Sequence, residues 1–231
     1  MFENMSAKEQ LYLIVRWLKD MQFRRMTGYG INVVDFVSSL GVQVQALPFK
    51  TPGFRGVAVP GVTPGQKDII LLNSSRDSYQ QNFDCAHEMM HLCLHSKIKR
   101  DPFVCQDEYK PNQDAFMEWQ ANEGAAEYCV PYLILLRMIK ERYDDICKFT
   151  GTDFEAYCQE LSEVFMVPKM VIKIRIESLK YEIYQYTECG IPLNEVKLMS
   201  KKELERNRIK VPSLYFKVLG QDLAAREYQI S

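Results

Sequence analysis

All three histidines of this 231-residue chain lie within one nonapeptide, at positions 87, 91 and 95. They sit in Phe83-Asp-Cys-Ala-His-Glu-Met-Met-His-Leu-Cys-Leu-His95. A helix projects residues four apart from one face, so His87 and His91 can reach a single ion. Glu88 follows His87 directly, where its carboxylate can face the same place. A helix this rich in apolar and ligating side chains has to be surrounded, and the rest of the chain reads as what surrounds it.

Before the motif, Ser6-Ala-Lys-Glu9 forms a capping box, and Leu11, Ile14, Val15 and Leu18 recur at helical spacing, predicting a helix over 7–22. Asn32 as N-cap and Gly41 as the residue past the C-cap frame a second helix, Val33–Leu40. The period then changes. Val42–Leu47, Arg55–Val59 and Asp68–Asn73 read as three short strands separated by Pro/Gly turns, a small and mainly antiparallel sheet. Such a sheet buries one face of the motif helix, and an edge strand can also pair with an extended peptide.

The motif helix should begin within 75–79 and end within 95–99, and Asp101–Pro111 reads as a loop. Gln113–Cys129 is a helix, and Pro131 suits the first position of the next, with Leu133, Leu136, Ile139 and Tyr143 as its stripe. Thr152 and Glu155 suggest a capping box for a helix to Phe165. Met166-Val-Pro168 breaks the chain, and one helix follows over Lys169–Tyr184. Two packed helices account for this pair, and a helix-turn-helix has compatible spacing. Ser200–Glu203 caps a short helix and Leu214–Leu219 reads as a strand. The lysines and arginines between 197 and 210 alternate with acids, as on a solvated face.

A net charge of −1 gives no overall pull toward nucleic acid or a membrane surface. No apolar run is long enough to span a bilayer, and residues 1–10 lack the apolar core of a signal peptide. Seven dispersed cysteines without a Cys-x-x-Cys pair fit a reducing compartment, so a cytoplasmic location is expected.

His-Glu-x-x-His on a helix is the pattern in which two imidazoles bind zinc and the glutamate acts as general base of a peptidase. A third protein ligand is needed, with one position left open. His95 is about 80° round the helix and roughly 12 Å along it from His87, too far to share an ion; it reads as an outer hydrogen-bonding residue. Glu118 is the best candidate, because Ala121, Gly124, Ala125 and Ala126 let its helix approach closely. Glu123 and Glu127 are alternatives. Asn122, one turn past Glu118, can hold a histidine ring by its outer nitrogen. Tyr109, Tyr128 and Tyr132 are candidates for stabilising an oxyanion. Zinc suits two imidazoles and a carboxylate, and Mn²⁺ or Fe²⁺ could take the same ligands.

Ala86-His-Glu-Met-Met-His-Leu-Cys-Leu-His95 and Glu118-Trp-Gln-Ala-Asn-Glu-Gly-Ala-Ala-Glu-Tyr-Cys-Val-Pro131 together resemble the two helical motifs of the ImmA/IrrE-type metallopeptidases. The likeness extends over roughly residues 25–180. It implies that His87, His91 and Glu118 bind zinc and that Glu88 is the general base. It also implies a substrate, since the family characteristically acts on helix-turn-helix repressors. Where the family commonly has a second Glu before the Ala, this chain has Gln120, which leaves Glu118 as the ligand.

The expected fold is α+β: a mostly helical, zincin-like peptidase core with a small sheet over 1–150, a helical, helix-turn-helix-like segment over 151–188, and an extension over 189–231. The expected function is a zinc endopeptidase cutting a helix-turn-helix repressor at a specific site. The rival is a non-catalytic regulator that binds DNA or a transcription-factor partner through its C-terminal helices, with a structural or sensory metal.

Overall fold

A computed structural model describes residues 5–22, 29–107, 114–215 and 217–218. The chain divides into two compact units: one of Val15–Cys129 with Phe165–Pro168, the other of Met1–Ile14, Val130–Val164 and Lys169–Ser231. The fold is α+β and mostly helical, with one four-stranded sheet. Among the described residues, no helix is long and apolar enough to cross a membrane.

The unit of Val15–Cys129 carries the histidine motif. Helix α1 (Ala7–Gln22), divided between the two units at Val15, starts at the Ser6/Glu9 box, where the Ser6 amide donates to Glu9 Oε2 at 2.8 Å. Helix α2 (Val33–Ser39) is capped by Asn32, and Gly41 follows at φ +90°, a left-handed step that glycine takes without strain. Strands β1 (Gln43–Leu47), β2 (Phe54–Val59) and β3 (Ile69–Asn73) lead to α3 (Ser78–His95), the motif helix. Strand β4 (Phe103–Gln106) and helix α4 (Ala115–Cys129) complete the unit.

The sheet order is β1-β3-β2-β4. The β1–β3 pairing is parallel and the other two are antiparallel, so the sheet is mixed with an antiparallel majority. Strand β4 corrects the loop expected over 101–111. Its Phe103 and Cys105 are buried and Val104 is exposed, a period-2 pattern too short to stand out so close to Pro102. Cross-strand partners share a face, so Ala58 with Ile70, Gly56 with Leu72, and Gly56 with Cys105 all turn toward α3.

Helix α3 opens with a reciprocal capping box, Asp77 with Gln80. It is buried almost continuously from Asn82 to Leu92, with the sheet, α2 and α4 packed around it. Asn82 anchors it: its amide group donates to the Ile31 and Met166 carbonyls at 2.8 and 2.9 Å and accepts from the Val33 amide at 2.8 Å.

The other unit is helical: α5 (Tyr132–Glu141), α6 (Tyr143–Ile146), most of α7 (Gly151–Phe165), α8 (Lys169–Ser178), α9 (Lys180–Thr187) and α10 (Lys201–Arg206). Several expectations are corrected here. Pro131 is the N-cap of α5 rather than its first residue, and the buried stripe is Leu135, Leu136 and Ile139, with Leu133 exposed. The box that opens α7 is Thr150/Asp153, not Thr152/Glu155; the Asp153 amide donates to Thr150 Oγ1 and the Thr150 amide to Asp153 Oδ2. Glu155 pairs instead with Lys169 and Lys173. The helix expected over 169–184 is two helices, and α9 starts at once after Leu179, whose backbone leaves the helical region. Leu214, Tyr215, Lys217 and Val218 are helical, not a strand. The Ser200/Glu203 box holds as expected. Lys8 and Glu182 form a buried ion pair at 2.7 Å, and the buried Arg175 bonds the Tyr12 hydroxyl and the Val130 carbonyl.

Candidate metal centre

Helices α3 and α4 pack together, and Ala121, Gly124 and Ala125 of α4 are buried. Side chains this small let the axes approach the low end of the usual ~8–10 Å separation. Glu118, one turn before Asn122, is thereby carried over the histidine face of α3.

His87 Nε2 and His91 Nε2 lie 3.0 Å apart. Glu118 Oε2 is 3.5 Å from His87 Nε2, and Oε1 is 3.5 Å from His91 Nε2. Ligands held at ~2.0–2.1 Å in tetrahedral geometry stand about 3.3 Å from one another. These three edges therefore outline one face of such a tetrahedron. The imidazoles are buried, and Glu118 is the open member, its side chain 17% exposed.

The outer nitrogens are set by hydrogen bonds that run away from this point. Asn122 Nδ2 donates to the Glu118 carbonyl at 2.9 Å, so its Oδ1, 3.1 Å from His87 Nδ1, is left to accept. His87 then carries its proton on Nδ1 and a lone pair on Nε2. A longer relay reaches His91. Gln120 Oε1 accepts from His95 Nε2 at 3.1 Å. Burial lowers the His95 pKa and keeps the ring neutral, so His95 Nδ1 accepts from His91 Nδ1 at 3.0 Å. His91 Nε2 is then a lone pair too. Two lone pairs and a carboxylate converge without a proton among them, a donor set that calls for a cation. Burial lowers the His87 pKa. A hard–borderline divalent ion fits this set of two imidazoles and one carboxylate.

Glu88 is fully buried, and neither carboxyl oxygen has a hydrogen-bond partner among the described residues. Burial, then the charge of Asp84, pushes its pKa well above the ordinary carboxylate range. Strand β2 passes directly over it. A Cβ at Gly56 would stand 3.1 Å from Glu88 Oε1 and 3.1 Å from the Leu71 carbonyl, so a side chain there would crowd both and glycine leaves the room for this approach. One turn earlier on α3, Asp84 is equally buried but held by Arg55 Nε at 2.7 Å and Arg76 Nε at 2.6 Å.

Residues 37–177 match the IrrE N-terminal-like domain, a peptidase family. The chain belongs to that family. No curated protein matches it. The family is one of metallopeptidase-type domains, in agreement with the donor set.

In this IrrE N-terminal-like domain the structure brings His87, His91 and Glu118 together, with all three ligand atoms within 4.8 Å. Neither Glu123 nor Glu127 is part of that group. Asn122 and His95 make the outer contacts, with His87 and His91 respectively. Of the tyrosines, Tyr128 is buried and stacks on Phe36, Tyr132 packs on Tyr12 within the other unit, and Tyr109 lies outside the described residues. Sequence reasoning missed four contributors: Gln120, Cys105, Gly56 and the Arg55–Asp84 pair. The Phe103-Val-Cys alternation was a signal for Cys105. Nothing local marks Arg55, whose partner is 29 residues away.

Proposed function

We propose that this protein is a zinc-dependent endopeptidase with His87, His91 and Glu118 as metal ligands and Glu88 as general base. The observation that carries the reading is the tetrahedral-face spacing of His87 Nε2, His91 Nε2 and the Glu118 carboxylate, beside a buried carboxyl group with no partner. Bound zinc would supply Lewis-acid polarisation of the scissile carbonyl and acidify the attacking water. Glu88 takes the water proton on a carboxyl oxygen that no other group occupies, then delivers it to the leaving amine. Asn122 and the His95–Gln120 relay keep the ligand lone pairs aimed inward. Phe103, stacked on His91 at 4.7 Å between centroids, screens the ring from water.

The substrate we propose is a helix-turn-helix repressor, on the resemblance to the ImmA/IrrE-type enzymes. The DNA-binding alternative finds no support in α8. Its Lys169 and Lys173 are paired with Glu155, Arg175 is buried, and its exposed side chains are Met170, Ile174 and the acidic Glu177.

The test is the purified, zinc-loaded full chain incubated with repressors encoded beside it, with products read by mass spectrometry. Cleavage at one site by the parent protein, and none by Glu88→Gln with its zinc retained, is the expected result. Equal cleavage by both proteins overturns the assignment of Glu88. Absence of bound metal overturns the centre itself.

A further inference from the structure

Strand β4 lays its buried face along α3 in register: Phe103 against His91, and Cys105 against the turn that carries His87 and Glu88. Cys105 is paired across the sheet with Gly56, the residue whose missing side chain makes room for Glu88. The consequence is a second cluster of ligand atoms. The Cys105 thiol, the Glu88 carboxyl and a His87 ring nitrogen all lie within 4.8 Å of one another, and all three residues are buried. Both Glu88 oxygens are buried without a hydrogen-bond partner among the described residues.

We propose that His87, Glu88 and Cys105 form a second metal position, selective for a thiophilic divalent ion such as Cd²⁺, that excludes the hydrolytic arrangement. Exclusion follows from His87. Its Nδ1 is engaged by Asn122 Oδ1 at 3.1 Å, so Nε2 is the single lone pair that both positions need. Selectivity follows from the donors. The position at His87, His91 and Glu118 offers nitrogen and oxygen alone, whereas the second adds a thiolate, the soft ligand that cadmium prefers. Binding there displaces the thiol proton and any proton on Glu88 to solvent. It also converts the proposed general base into a ligand, so a protein loaded this way holds an ion and hydrolyses nothing. The inhibitory part rests on the peptidase reading; the binding part stands without it.

The experiment uses the full chain carrying Cys93→Ser and Cys189→Ser, which removes the exposed thiols among the described residues. Metal-free protein is titrated with CdCl₂ and followed by the ultraviolet sulfur-to-cadmium charge-transfer band. The band should saturate at a single ion per chain and persist in His91→Ala, because the second position does not use His91. Cys105→Ser should lose the band while still binding zinc with an unchanged circular dichroism spectrum, which separates ligand loss from misfolding. Glu88→Gln should keep the band and release cadmium more readily. An undiminished band in Cys105→Ser, its loss in His91→Ala, or two ions bound together each overturns the proposal. None of these readings involves cleavage, so failure to find a substrate would count against the peptidase reading alone.

Discussion

Two carboxylates one helical turn apart on α3 are both buried and yet live in opposite surroundings. Asp84 has an arginine on each oxygen, Arg55 on one and Arg76 on the other. Glu88 has none, although it is buried just as fully. A buried carboxylate that is fully paired is a structural device. One left unpaired is destabilising by a few kcal/mol unless something absent from the protein chain completes it. The difference assigns the roles: Asp84 fastens strand β2 to the motif helix, and Glu88 is kept ready for a water or an ion.

The sharpest way to break that comparison is to exchange the consequences. Glu88→Gln should lower peptide hydrolysis by about 10²–10⁴-fold, the usual worth of a general base, with little change in thermal midpoint. Asp84→Ala should do the reverse, unfolding more readily while its damage to activity follows from instability. The loss belongs at the lower end of the ~3–5 kcal/mol of a broken buried pair, since Arg55 and Arg76 keep 16% and 19% of their side chains in water. Urea denaturation of both variants measures it. If Glu88→Gln proves the unstable one, the distinction between the two turns is wrong.

Smaller effects refine the picture. Gly56→Ala presses a methyl group toward Glu88 and the Leu71 carbonyl and should cost about 1–3 kcal/mol, along with a larger fall in kcat than in zinc content. Gln120→Leu removes the acceptor that fixes the His95 and His91 tautomers. It should weaken metal binding by about 10–100-fold, the effect of outer hydrogen-bond partners, and Gln120→Glu should restore it; competition with a chelator reads both. Glu155→Gln, a third and surface-exposed carboxylate, should shift stability by less than about 1 kcal/mol.

What could be read without coordinates was whatever spacing encodes. His87, Glu88 and His91 follow from helical periodicity, and Glu118 with Asn122 follows from a second helix with small residues to bring it near. Caps at Ser6, Asn32 and Ser200 were legible because a cap is local chemistry. The Thr150/Asp153 box was displaced by two residues because Thr152 and Glu155 offer the same pattern, and the lysines of α8 decide between them from outside the window. Gly56 over Glu88 and the Arg55–Asp84 pair were illegible for one shared reason. Each depends on which strand lies beside which, and that is settled by packing between segments far apart in the chain. Gln120 looked like the loss of a carboxylate and turns out to be the end of a relay.

The packing of α3 against α4 has a further consequence for the protein's lifetime. The three proposed ligands come from two helices joined by the intervening chain, so an ion held there also cross-links them. Each tenfold rise in free metal above its dissociation constant adds about 1.4 kcal/mol to the folded state. Metal starvation would then do more than idle the site. It would loosen the joint between the two helices, raise the share of unfolded chain that proteases can cut, and clear the idle protein.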